Sequence, residues 1–109
     1  MTLVLAKPIV AYLAAANAFD SSSVASYFAE EAVVFDEGRC YTGTAAIAVW
    51  MDETGRNFKP QVQAIDVSDS GDASVVTARV SGSFPGSPIV LRYTFTLSAE
   101  HIARLVVSG

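Results

Sequence analysis

The chain has 109 residues, 51% of them hydrophobic and only 17% charged, with a formal net charge of −4. That length suits one domain spanning residues 1–109, and the apolar share supports a packed core rather than disorder. The seven Lys and Arg residues are scattered, so the basic stripe that nucleic-acid backbones require is missing and nucleic acid is not an expected partner.

The apolar share is more than a small exposed domain needs, which points to an internal cavity, a buried oligomer face, or both. The lone cysteine, Cys40, cannot form an internal disulfide, and one Cys with one His cannot build a zinc site. The expectation is a reduced cytoplasmic protein with no metal centre. The opening Met1–Pro8 stretch is too short and wrongly flanked for a signal segment. No run approaches the roughly 20 apolar residues of a membrane span.

In chain order, Pro8 suits the first position of a helix whose buried stripe is Ile9, Tyr12, Leu13 and Ala16. Asp20 or Ser21 can cap a second helix, with Val24, Tyr27 and Phe28 on its buried face and Glu30–Glu31 at its solvated end. Ala32–Asp36 reads as an apolar strand closed by an acid. A third helix begins at Thr42-Gly43-Thr44, buries Ile47, Trp50 and Met51, exposes Asp52, Glu53 and Arg56, and has Gly55 as a candidate C-cap.

From Pro60 the period changes to two. A strand over residues 61–68 turns at Ser70-Gly71-Asp72 into one whose faces are Val76, Ala78, Val80, Gly82, Phe84 and Thr77, Arg79, Ser81, Ser83. After the Phe84–Pro88 turn, Ile89, Leu91, Tyr93, Phe95 and Leu97 alternate with Val90, Arg92, Thr94 and Thr96. A turn at Ala99-Glu100-His101, with His101 solvated, leads to a last strand from Ile102 to Val107. Helices first and strands later predict an α+β fold: three N-terminal helices packed on a curved, mainly antiparallel sheet.

An acid directly after four apolar residues is the most suggestive chemical signal. The stretches Ala11–Ala18, Phe28–Asp36 and Gly43–Ile47 resemble the opening half of the ketosteroid isomerases. Those isomerases, like the polyketide cyclases, belong to the nuclear transport factor 2-like superfamily. The resemblance implies the cone-shaped fold of that superfamily, a two-fold dimer, and a cofactor-independent proton transfer. It makes Asp36 the general base and Tyr12 the oxyanion donor. Enolate formation needs a base near the carbon and a donor near the oxygen, and an apolar setting strengthens a carboxylate as a base. Ketosteroid isomerase is itself the standard illustration of that division, with a protonated carboxylic acid as a second donor.

Two departures stand out. No Asp or Glu occurs between Asp72 and Glu100, so the second donor is missing or replaced by the phenol of Tyr93, and Glu37 stands where the isomerases usually carry proline. The ligand pocket is expected among Phe35, Trp50, Phe84, Leu91 and Phe95, holding an apolar small molecule. Plainer roles remain open: Asp36 can pair with Arg39, Arg79 or Arg92, Tyr12 and the pocket aromatics can be ordinary core, and Cys40 an inert thiol. The strand face bearing Thr77, Arg79, Arg92 and Thr94, with Val75 and Val90 among them, suits a sheet-to-sheet homodimer. Three functions follow: an isomerase or cyclase, a non-catalytic binder of an apolar ligand, or an interaction domain with a filled pocket.

Overall fold

A computed structural model describes residues 3–109 as three helices on one face of a six-stranded sheet. Helix α1 spans Lys7–Asn17, with Pro8 one position further in than expected, in the first turn where its missing N–H leaves no gap. Ile9, Tyr12 and Leu13 are buried, as the stripe requires. The helix ends in a Schellman arrangement: the N–H groups of Phe19 and Asp20 donate to the carbonyls of Ala16 and Ala15. The left-handed position there, φ 55°, belongs to Phe19 rather than glycine.

Helix α2 is one turn, Val24–Tyr27, with Ser23 as N-cap residue. Neither Asp20 nor Ser21 caps it. Asp20 accepts hydrogen bonds from the N–H and hydroxyl of Ser22, and Ser21 donates to Asp52 on the third helix. Strand β1 begins at Phe28 and runs to Asp36, four residues earlier than the apolar run suggests. Phe28 is held by parallel pairing with Ile102 of the last strand. Glu30 and Glu31 are therefore exposed strand residues, not a helix end.

Strand β2, Arg39–Thr42, was not expected. It pairs with β1 through the two-residue turn Glu37-Gly38, both at positive φ (51° and 75°), the conformation whose twist matches a hairpin. Helix α3 spans Thr44–Phe58 and ends with Lys59 left-handed, so Gly55 is not its cap. Gly55 lies inside the helix, where the Phe19 ring packs against it and an added Cβ would meet that ring at 3.4 Å, an ordinary contact.

Strands β3 (Gln61–Ser70), β4 (Ala73–Ser81), β5 (Ile89–Ser98) and β6 (His101–Ser108) form the expected antiparallel meander. The sheet order is β2-β1-β6-β5-β4-β3, with β1 and β6 the one parallel pair. Two details differ from expectation. His101 starts β6, leaving Ala99-Glu100 as the turn, and β4 stops at Ser81. Gly82 and Phe84 thus belong to a loop. There the Ser83 N–H donates to the Phe58 carbonyl, and a Cβ on Gly82 would lie 2.5 Å from that oxygen.

The core lies between the helices and the concave sheet face. Ile9, Ile47, Val34, Val76, Phe95, Ile102 and Leu105 are fully buried. The helices close that face only in part, since β3 at the sheet edge touches them chiefly through the end of α1. Asn17 makes that contact, its amide donating to the Val62 carbonyl at 3.0 Å and accepting from the Val62 N–H at 2.7 Å. The gap left between α1, α3 and the β4–β5 end of the sheet is the cavity.

Candidate active site

The cavity has a volume of about 390 Å³, within the range of small-molecule sites. Each wall follows from a periodicity already visible in the chain. Helix α1 supplies Tyr12, Ala15 and Ala16; helix α3 supplies Trp50, Met51 and Thr54; the inward faces of β4 and β5 supply Val80, Ile89, Leu91 and Tyr93. Asp36 enters from the end of β1, and Phe19, Phe58 and Phe84 form an aromatic rim.

Asp36, Tyr12, Tyr93, Trp50, Leu91 and Phe84 therefore converge on one cavity. Phe35 and Phe95 do not reach it. Phe35 precedes Asp36 on the same strand, and adjacent strand residues point to opposite faces. Its ring carries the Arg104 guanidinium at 4.8 Å. Phe95 is fully buried one pair deeper, with its ring 6.4 Å from Tyr93 and 5.8 Å edge-on to Tyr12, so it supports the floor.

The polar groups are few. The Trp50 indole Nε1–H donates to Asp36 Oδ2 at 3.0 Å. None of the arginines suggested by the sequence takes that place. Arg39 faces Asp36 across the hairpin but is exposed, while Arg79 and Arg92 are exposed on strands whose inward residues flank them. Trp50 also lies parallel to Tyr12, with 6.2 Å between ring centroids and 6° between planes, so one side chain braces both the carboxylate and the phenol.

Tyr12 and Tyr93 are 4% and 5% exposed, and neither hydroxyl has a hydrogen-bond partner among the described residues. No fully enclosed side-chain polar atom is left unpaired there, so both hydroxyls open to the cavity. Burial pushes the Tyr12 phenol well above its ordinary pKa, and the charges of Tyr93, Asp36 and Tyr27 raise it further. Burial likewise raises Tyr93, with Asp36 adding to the effect. Both phenols stay protonated at neutral pH and can donate to a developing oxyanion.

A model of the SnoaL-like domain matches residues 9–104. The chain belongs to the SnoaL-like family of the nuclear transport factor 2-like superfamily. A solved candidate polyketide cyclase from Sinorhizobium meliloti is 35% identical over 95% of each chain, with a TM-score of 0.91. A ketosteroid isomerase-like fold from Catenulispora acidiphila, solved with trimethylamine, is 18% identical over 97% of this chain and 87% of its own, with a TM-score of 0.84. A candidate SnoaL-like polyketide cyclase from Shewanella putrefaciens is 15% identical over 94% and 86%, with a TM-score of 0.75. None of the curated proteins compared matches the chain.

Several lining residues of this SnoaL-like cavity carry no simple sequence signal. Phe19 reaches the rim only because of its left-handed backbone, and Asp20 and Glu37 reach it from turns. Thr54 and Phe58 are different. They continue the Trp50 face of α3 at helical spacing, and that periodicity was available to find them.

Proposed function

We propose that this SnoaL-like chain is a small-molecule pocket protein acting as a cofactor-independent isomerase or cyclase on an apolar, ring-bearing carbonyl compound. One observation carries the reading: Asp36 Oδ2 is held by Trp50 while Oδ1 has no partner among the described residues, on the wall of a cavity that also receives two unpartnered phenols. In the mechanism, Asp36 Oδ1 removes the proton beside the carbonyl, and Tyr12 donates to the resulting enolate oxygen, assisted by Tyr93. Asp36 then returns the proton to a different carbon. The indole fixes the carboxylate's orientation, which a general base needs before its strength matters.

A second reading is a non-catalytic ligand-binding module. The engagement of Asp36 by Trp50 favours it, because a carboxylate can be kept for orientation alone. A cytoplasmic location, suggested by the unpaired cysteine, and a homodimer through the outer sheet face complete the proposal. The test is double-bond migration or α-proton exchange in β,γ-unsaturated cyclic ketones of several ring sizes. Asp36→Asn keeps the shape and removes the base, so the rate should fall by about 10²–10⁴-fold. Tyr12→Phe should lose less, since Tyr93 remains. Equal rates in native protein and Asp36→Asn would leave the binding reading ahead.

A further inference from the structure

The charge pattern of the cavity is one-sided. Among the described residues its lining includes three carboxylates, Asp36 on the wall and Asp20 and Glu37 at the mouth, and no Lys, Arg or His. Six aromatic side chains share that lining: Tyr12, Phe19, Trp50, Phe58, Phe84 and Tyr93. We propose that the ligand of this cavity is an apolar compound bearing a protonated or quaternary amine, with the cationic group lodged beside Asp36 among these aromatic side chains. The inference rests on the pocket reading above and deepens it by naming the charge of what binds.

Each class of ligand meets a different outcome. An anion would enter a low-dielectric cleft of like sign with no counter-charge, where fields are focused rather than screened. A neutral ligand with no donor group would displace water from Asp36 Oδ1 without replacing its hydrogen bond, and one with a donor would leave the negative charge uncompensated. An ammonium group answers both conditions: its N–H or its charge faces Oδ1, and its methyl groups lie against aromatic faces, an attraction that strengthens as water is excluded. The buried, unpartnered hydroxyls of Tyr12 and Tyr93 point the same way, because a protonated phenol can still accept a hydrogen bond from N⁺–H. A cation held beside the carbonyl would also favour the enolate charge that Asp36 generates, so recognition and chemistry reinforce each other.

The test titrates the full chain with a charge series of matched shape, followed by calorimetry and by amide and indole chemical shifts. The series is benzyltrimethylammonium, protonated N,N-dimethylbenzylamine, the neutral isostere neopentylbenzene, and phenylacetate. Both cations should bind at least about tenfold tighter than neopentylbenzene, with phenylacetate weakest and with shifts at Tyr12, Trp50 and Leu91. Raising salt from about 50 to about 500 mM should weaken the cations alone. Asp36→Asn should cut the preference severalfold relative to neopentylbenzene, the residual coming from the aromatic lining and the mouth carboxylates. Neopentylbenzene or phenylacetate binding native protein as tightly as the cations would overturn the inference and leave the pocket reading standing. Cation-induced shifts confined to the outer sheet face would overturn it equally. If no member of the series perturbs Tyr12, Trp50 or Tyr93, the pocket reading itself falls, and the inference with it.

Discussion

Replacing Asn17 by alanine tests how the cavity is held open. The Asn17 amide pairs with both backbone groups of Val62 on edge strand β3, as a neighbouring strand would. Asn17→Ala removes one donor and one acceptor and leaves a Val62 N–H and C=O without partners, although the Val62 side chain is 8% exposed. At about 1–1.5 kcal/mol for each net hydrogen bond, the loss comes to about 2–3 kcal/mol, because water can reach only part of the freed backbone. For a domain of this length that corresponds to a fall in Tm of about 10 °C. Urea unfolding monitored by circular dichroism should show the lower midpoint with an unchanged m-value. Asn17→Asp sharpens the test. It keeps an acceptor for the Val62 N–H but sets a carboxylate oxygen against the Val62 carbonyl, so it should destabilise at least as much. Gln61→Ala is the control, since its exposed amide bonds only the carbonyls of Asn17 and Pro60. A change within about 0.5 kcal/mol for Asn17→Ala, or one equal to the control, would refute the view that this pairing anchors α1 to the sheet edge.

Two further outcomes are expected. Tyr12, Tyr27 and Tyr93 all have raised phenol pKa values in the fold, Tyr27 pushed up from the ordinary 10.0 to about 12 by burial and by the Asp20 charge. The unfolded chain therefore ionises first: the three groups leave stability intact below pH 10 and erode it above, Tyr27 least because solvent screens it, by about 3 kcal/mol together at pH 11. Urea titrations at pH 8 and 11 check this, and a loss below about 1 kcal/mol would contradict it. Gly82→Ala should destabilise by about 1–3 kcal/mol, because the new Cβ would meet the Phe58 carbonyl at 2.5 Å and push the Phe84 loop from the rim. Thermal unfolding indistinguishable from native would show that the loop yields freely.

Much of this protein was legible in its residue order. The helical stripe from Ile9 to Ala16, the Ile47-Trp50-Met51 face and the period-two strands after Pro60 each name a buried face, because helix and strand periods dictate which side chains share a side. From those faces the meeting of Tyr12, Trp50, Leu91 and Tyr93 follows once helices are laid on a sheet. Strand alternation also carried the correction for Phe35, since Asp36 and its neighbour cannot both face inward. Other features depend on contacts between distant residues. The Phe28–Ala32 segment has a helical composition, and only parallel pairing of Phe28 with Ile102 on β6 makes it strand. Strand β2 exists because β1 offers it a partner across the Glu37-Gly38 turn. The left-handed Phe19 packs its ring on Gly55, which is remote in the chain. The indole bond to Asp36 joins residues from a strand end and a helix. Local periodicity determines which way a side chain points, but the partner it finds there is decided by backbone pairing and packing between segments remote in the chain.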